Sequence, residues 1–496
     1  MNWLLAVASG ALLFLLFPPY DFAWFAPFAL TPLLIACARE SNWRRRAALG
    51  YVCGIVQWFG MCYWIQWTTG RYAGVGPVAA WALFLLICLV KAMQAAVFAT
   101  LAGWLIRTVW AVPATAALWV ALEWTHAWTG LSWLPLGNAA SGMSVPLRIA
   151  PIAGVWGVSF VFALLATGIA CVVLRRPRSH CAWLLSIPGL LLLPELPGPV
   201  PGSATAVLSQ PNESETNVWN DELVTRSLRR KLLLSLGEAL KKPTPELIIW
   251  PEDPGPFYGY DETYTGALTG LARTSGAYII AGAVDRTPGG APLNAALTVS
   301  PRGSILARYN KIHLVPFGEF VPWPFLQITK QVSTEAGDFE AGRSVVVTPI
   351  GAHRIGTFIC YEAAFPGFVR QFAKGGAEVL VTISNDGWFG KSAARYQHLR
   401  IARMRAVENR RWLLRSTNDG VTVVIDPAGR VTQAAPEYVE TATRMNYGYV
   451  REQTFYTRHG DWFVLLCALM AGAALLKRYF HLRQDFLNQT LSACRD

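Results

Sequence analysis

The stretch RIGTFICYEAAFPGFVRQFAK, residues 354–374, carries the pattern that decides how most of the chain folds. Arg354 to Cys360 is a short run rich in β-branched and apolar residues, the composition of a buried strand, and Pro366 to Lys374 fits a helix. The same alternation continues on both sides. Strands are predicted at Ala204 to Ser209, Glu246 to Trp250, Tyr278 to Val284, Ala295 to Ser300, Ser344 to Thr348, Val379 to Ser384, Trp412 to Ser416 and Val421 to Ile425. Helices are predicted at Asp221 to Lys241, Glu262 to Ser275 and Arg395 to Glu408. A hairpin across Pro301-Arg302-Gly303 joins Leu297 to Ala307. Strand and helix repeating in this way imply a layered α/β sandwich over Leu196 to Gly460.

The rest of the chain is different in kind. Of the 496 residues 53% are hydrophobic and only 15% charged, with 21 Trp; soluble domains run about 25% charged. The net charge of +12 raises nucleic-acid binding as a function. Residues 196–460, however, hold 28 Lys+Arg against 24 Asp+Glu, leaving 15 against 7 in the apolar parts. An excess concentrated there suits a membrane protein and argues against a DNA-binding face. Eight apolar runs approach the ~20 residues that cross a bilayer. They are Trp3 to Phe17, Phe22 to Ala38, Leu49 to Trp67, Pro77 to Ile106, Ala111 to Trp128, Ile149 to Leu174, Cys181 to Leu193 and Asp461 to Leu476. Arg39, Arg44, Arg45, Arg46, Arg107, Arg175, Arg176, Arg178, Lys477, Arg478 and Arg483 follow the even-numbered runs, whereas the alternate loops hold only Arg71 and Arg148. By the positive-inside rule the large domain faces away from the cytoplasm. The expected organisation is 1–195 as an N-terminal transmembrane bundle, 196–460 as an external domain, and 461–496 as a last transmembrane helix with a cytoplasmic tail. The first run lacks a basic n-region and an Ala-x-Ala site, so it reads as an uncleaved helix.

Seven cysteines fall in or beside the apolar runs and Cys494 in the tail, which leaves Cys360 alone in the external domain. An unpartnered thiol on an oxidising side of a membrane needs a reason. Two other polar residues also sit at or just past strand ends: Glu252 in Trp250-Pro251-Glu252, and Lys311 in Tyr309-Asn310-Lys311. A carboxylate to take a thiol proton, an ammonium to stabilise an oxyanion and a thiol form a covalent acyl-transfer set. Taken singly, each has an ordinary reading as an exposed strand-end Glu, a surface Lys and a core Cys. His313, His353 and His398 do not form a zinc pattern, and no Gly-rich phosphate loop is present.

Longer motifs surround these residues: KIHLVPFGEFVP from Lys311, ICYEAAFP from Ile359, SNDGWFG from Ser384, and the run His398 to Gly420 containing ARMRAVEN from Ala402. Glu, Lys and Cys in this order and these contexts resemble the nitrilase superfamily and, over essentially the whole chain, the bacterial apolipoprotein N-acyltransferase family. The resemblance implies a nitrilase-like αββα sandwich beside a bundle of about eight spans in the bacterial inner membrane, with the catalytic domain periplasmic. It implies Glu252 as general base, Lys311 as electrostatic stabiliser and Cys360 as nucleophile, with Glu319, Tyr361, Glu362 and Trp219 as further active-site residues. It implies a phospholipid acyl donor such as phosphatidylethanolamine and a diacylglyceryl-apolipoprotein acceptor, with no cofactor, no metal and no nucleic acid. Asp253-Pro254 departs from the pattern by adding a negative charge beside the base, and Val218 stands before Trp219 where a Lys is common. Phe257-Tyr258, Trp323-Pro324-Phe325 and Trp388-Phe389 are expected in loops able to dip into a membrane interface. Glu123 and His126, about one turn apart in the fifth run, are expected to make a polar contact within the bundle. The rival readings are a membrane-tethered amidase, in which water replaces the amine, and a catalytically inactive lipid- or lipoprotein-binding protein.

Overall fold

In the computed structural model, which describes residues 1–72, 76–252, 255–321 and 339–493, twelve strands form two six-stranded sheets. The first holds β1 (Ala204–Gln210), β2 (Leu247–Ile249), β3 (Tyr278–Arg286), β4 (Pro292–Val299), β5 (Ile305–Asn310) and β12 (Thr441–Tyr447), in the order β12-β1-β2-β3-β4-β5. The second holds β6 (Val347–Ile350), β7 (His353–Ile359), β8 (Val379–Ser384), β9 (Trp412–Thr417), β10 (Val423–Ile425) and β11 (Val431–Ala434), in the order β11-β10-β9-β8-β7-β6. In each sheet the three central strands are parallel and the flanking ones antiparallel. Parallel strands buried on both faces need continuous apolar runs, and β8 and β9 are buried at every position.

Helices Asp221–Ala239 and Glu262–Ser275 cover the outer face of the first sheet, where Leu228, Leu268, Leu271 and Ala272 pack with Val207, Ile248 and Ile279. Both helices start where the sequence supplies a cap. The Asn220 side chain accepts from the Leu223 N–H, and that of Asp261 from the N–H groups of Thr263 and Tyr264. Helices Pro366–Lys374 and Ala394–Asn409 pack on the second sheet. The sheets meet across Ser416, whose hydroxyl donates to the carbonyls of Ser209 (2.8 Å) and Ile249 (3.2 Å). The result is the expected helix–sheet–sheet–helix layering. Two strands escaped the pattern: β11 and β12 alternate polar and apolar residues weakly, and β12 becomes a strand by pairing with β1 far away in sequence.

The chain divides into two units, and the division does not follow the apolar runs. Residues Leu196–Arg458 share their unit with Trp64–Trp81, which the hydropathy had assigned to the membrane part. The other unit comprises Met1–Tyr63, Ala82–Glu195 and His459–Asp496. Among the described residues three helices are long and apolar enough to cross a bilayer, within Pro77–Leu105, Ala150–Val173 and Trp462–His481. A fourth arises only if Trp43–Cys62 and Trp64–Tyr72 are counted together. The expected eight is therefore not reached by this measure. Prolines interrupt two of the other runs. Pro27 lies within a 3-10 turn at Ala23–Phe28 and Pro188 within one at Ala182–Leu192. The fifth run is helical only over Ala111–Trp124. There Glu123 does make a polar contact, accepting from the Trp119 indole (3.2 Å) and the Leu136 N–H (2.6 Å). The His126 carbonyl receives the Lys91 ammonium at 3.0 Å, and the His126 ring packs against Trp58, 5.1 Å away.

Candidate active site

Layered α/β domains present chemistry at the carboxyl ends of their parallel strands, and here the expected residues gather there. Glu252 follows β2, Lys311 follows β5, Cys360 follows β7 and Asn385 follows β8. Gly282 in β3 is what lets the Glu252 segment come so close. A Cβ at that position would lie 2.5 Å from the Pro251 carbonyl oxygen and 3.1 Å from the Glu252 Cα.

Lys311 is the hub. Its Nζ lies 3.1 Å from Glu252 Oε1 and 2.8 Å from Glu319 Oε1, and the side chain is 1% exposed. The same two oxygens also receive Asn294 Nδ2, at 2.6 and 2.7 Å. The remaining oxygens are satisfied by the backbone: Glu252 Oε2 by the Asn385 N–H (3.0 Å) and Glu319 Oε2 by the Val315 N–H (2.7 Å). Two partly buried carboxylates side by side repel, and it is the ammonium together with the amide between them that makes the pair tolerable. Burial would draw the Lys311 pKa down, but Glu252 and Glu319 outweigh it and hold the value well above the ordinary one. The site thus keeps a fixed positive charge. Asn294 was not anticipated. Its signal in the sequence is a single amide side chain inside the otherwise apolar strand Pro292–Val299.

Cys360 ends β7 with φ +51°, in the left-handed region that a non-glycine residue enters at a cost of roughly 1–3 kcal/mol. Burial pushes its thiol well above the usual range; the Glu252 carboxylate adds to this and the Lys311 ammonium opposes it. The resting group is a neutral thiol, which needs a base before it can attack. Among the described residues it is the one cysteine of its unit.

Glu362 is fully buried. It ties the strand end carrying Cys360 to the segment carrying Lys311. Oε2 accepts from the Ile359 N–H (2.8 Å), Oε1 from the N–H groups of Ile312 (2.6 Å) and His313 (3.1 Å), and the Tyr309 hydroxyl donates at 2.7 Å. Burial raises its pKa to about 7 against the pull of these donors and of Lys311. Its place is that of a positioning residue. Tyr361 is buried with its ring edge-on to Phe365, 5.2 Å away. Trp219 sits edge-on to Phe257, 6.1 Å away.

The loop after β8 completes the site. Asn385 donates its N–H to Glu252 and its side-chain amide to Glu215 Oε2 (3.0 Å), and its Oδ1 accepts from Asn418 (3.2 Å). Helix Trp64–Tyr72 braces the next residues. Thr68 donates to the Trp388 carbonyl (3.0 Å) and Tyr72 to that of Gly387 (3.3 Å), while Trp64 packs on Phe389 and Tyr72 on Trp388. This explains why a segment that reads as membrane span belongs to the α/β unit. Of the aromatic groups expected at an interface, Trp388 is 40% exposed, but Phe257 is 2% exposed and belongs to the core. Trp323-Pro324-Phe325 and Asp253-Pro254 lie outside the described residues.

Residues 225–449 match the carbon-nitrogen hydrolase family, and residues 9–168 match the apolipoprotein N-acyltransferase N-terminal domain. Apolipoprotein N-acyltransferase of Geobacter metallireducens is 32% identical over 98% of this chain and 97% of its own length. That of Azotobacter vinelandii is 33% identical over 96% and 95%. Among solved structures, an amidase from Nesterenkonia sp. is 18% identical with a TM-score of 0.38, covering 54% of this chain and 97% of its own. Relatives this similar along nearly the whole length show that the chain belongs to the apolipoprotein N-acyltransferase family and is an N-acyltransferase.

Proposed function

We infer that the chain moves a fatty acyl group from a membrane phospholipid, through a thioester on Cys360, to the α-amine of a diacylglyceryl-modified N-terminal cysteine of an apolipoprotein. The observation that carries this reading is the gathering at the strand ends of a buried Cys360 with Glu252 and Glu319 on one buried Lys311 ammonium. Glu252 takes the Cys360 proton, and the thiolate adds to the acyl ester carbonyl of a donor such as phosphatidylethanolamine. Lys311 stabilises the oxyanion. The tetrahedral adduct collapses with cleavage of the ester C–O bond, Glu252 returns the proton to the departing alkoxide, and a lysophospholipid leaves. The acceptor amine then adds to the thioester, loses a proton to Glu252 and expels the Cys360 thiolate, which is reprotonated. Ester to thioester to amide requires no ATP, metal or organic cofactor.

The test is mass spectrometry of the purified protein after exposure to phosphatidylethanolamine. An acyl adduct on Cys360 that persists until a diacylglyceryl peptide is added supports the transferase. Rapid loss of the adduct to water supports an amidase-like hydrolase, and no adduct supports a lipid-binding protein.

The site's location is part of the same reading. The basic residues that follow alternate apolar runs favour a bacterial inner-membrane protein whose α/β unit lies in the periplasm. A reporter fused after Gly460, or within Glu213 to Asp221, is expected to register as periplasmic, and one after Asp496 as cytoplasmic. A cytoplasmic signal from either of the first two would overturn the orientation.

A further inference from the structure

Cys360 is held from both sides of its strained backbone. Glu362 fixes the Ile359 N–H that precedes it. On the other side the carbonyl of Cys360 itself faces His398 Nε2 at 3.0 Å. His398 lies on helix Ala394–Asn409, is 1% exposed, and meets the edge of the Phe389 ring. Its other ring nitrogen, Nδ1, is 3.0 Å from an Arg415 Nη2 and 3.4 Å from Asp386 Oδ1. Arg415 and Asp386 are themselves completely buried and paired through the same Nη2, at 2.8 and 2.9 Å from the two carboxylate oxygens.

These contacts decide where the imidazole proton sits. A guanidinium has donors only, and Arg415 Nη2 lies nearer to Nδ1 (3.0 Å) than the acceptor Asp386 Oδ1 does (3.4 Å), so Nδ1 is assigned as the acceptor. The single proton of a neutral imidazole is then on Nε2, where the Cys360 carbonyl needs a donor. The opposite tautomer would set two acceptors against each other at 3.0 Å, and an imidazolium would set a second cation against Arg415. Burial and Arg415 lower the His398 pKa, Asp386 and the Cys360 carbonyl raise it, and the net direction is down, in agreement with the neutral form. Burial would raise Asp386, but Arg415 outweighs it and brings its pKa to about 2, which keeps the pair ionised.

We propose that His398, locked by the buried Asp386–Arg415 pair as the Nε2–H tautomer, is a positioning residue that holds the carbonyl of Cys360 and thereby aims its thiol. This rests on the reading of Cys360 as the nucleophile. Left-handed backbone at a non-glycine residue persists only where its surroundings over-determine it, and a donor on the residue's own carbonyl supplies that constraint. Phe389 is packed by Trp64 as well, so the ring wall of His398 is continuous with the bracing of the loop after β8.

Glutamine and asparagine separate reach from polarity. The Nε2 of Gln falls near that of His, whereas the Nδ2 of Asn is one methylene short of the Cys360 carbonyl. His398→Gln is expected to keep most of the activity. His398→Asn and His398→Leu are expected to lower kcat by ~10²-fold, the scale of a small misplacement of a reacting group, with KM for phospholipid unchanged. Alkylation of Cys360 by iodoacetamide, followed on its own peptide by mass spectrometry in the full-length protein, should fall in the same order, and it involves no lipid. Thermal unfolding of each variant checks the fold. Equal rates for the Gln and Asn variants, or wild-type alkylation in the Leu variant, would overturn the proposal. Failure of the nucleophile assignment looks different: Cys360→Ser would then remain active whatever occupies position 398.

Discussion

Cys360→Ala is expected to abolish acyl transfer, and Cys360→Ser to lose at least the ~10²–10⁴ that general-base assistance is worth, with folding and membrane insertion retained. The Ala variant has nothing to carry the acyl group. The Ser variant keeps an oxygen in place, but in the same surroundings an alcohol is a far weaker acid than a thiol, so the same carboxylate takes its proton less readily. Glu252 is held to Lys311 and receives donors from Asn294 and Asn385. A thiol lies within reach of a carboxylate base and an alcohol does not. Removing one sulfur from a site that is 5% exposed alters the packing little, because the strained turn is fixed by neighbours and not by Sγ. The assay is turnover in detergent with phospholipid and a diacylglyceryl peptide. Normal turnover by the Ser variant would remove Cys360 from the mechanism.

Glu252→Gln should block thioester formation at neutral pH by ~10²–10⁴-fold and recover as pH rises, whereas Glu319→Gln should show a defect that alkali does not relieve. Both carboxylates bind the Lys311 ammonium and the Asn294 amide, so a static picture treats them almost alike. Their difference is electrostatic. After burial, the Glu252 charge is the largest influence raising the Cys360 pKa, and Lys311 lowers it. Replacing Glu252 by an amide removes the base, but it also removes that raising influence while Lys311 stays. The sign follows: the thiol of the Glu252→Gln variant ionises at lower pH than that of the wild type, and its thiolate fraction grows about tenfold per pH unit until its pKa is reached. Glu319→Gln takes away a partner of Lys311 and loosens the group that meets the oxyanion, a loss that no thiolate restores. The measurement is acyl-adduct formation on Cys360 against pH for both variants. Rescue of the Glu319 variant instead would exchange the two roles.

The α/β part was legible because local pattern and final structure agree there. The strands around Ile248, Phe358 and Val381 are apolar on both faces, as parallel strands between two layers must be, and the helices begin at Asn220 and Asp261, where the chain supplies its own caps. Glu252, Lys311 and Cys360 could be singled out because each is a polar or reactive residue at the end of such a run, where periodicity stops. Their roles were another matter. Glu362 was expected as a further active-site residue, and only the structure gives it a task, joining Ile359 to Ile312 and His313 once two distant segments lie side by side.

Asn294, His398 and Arg415 escaped for the same physical reason. A buried polar group is tolerable only with partners, and their partners come from elsewhere in the chain: Glu252 and Glu319 for Asn294, Cys360 for His398, Asp386 for Arg415. Hydropathy failed in the opposite way at Trp64 to Tyr72. An aromatic helix looks the same to a composition window whether its rings face lipid or Trp388 and Phe389. Sequence alone determined the strand and helix inventory of the α/β unit, the isolation of its one thiol and the family likeness. Tertiary structure decided which apolar segment leaves the helical unit, which carboxylates share one ammonium and which imidazole nitrogen faces the Cys360 carbonyl, because each of these depends on desolvated contacts between residues that only folding brings together.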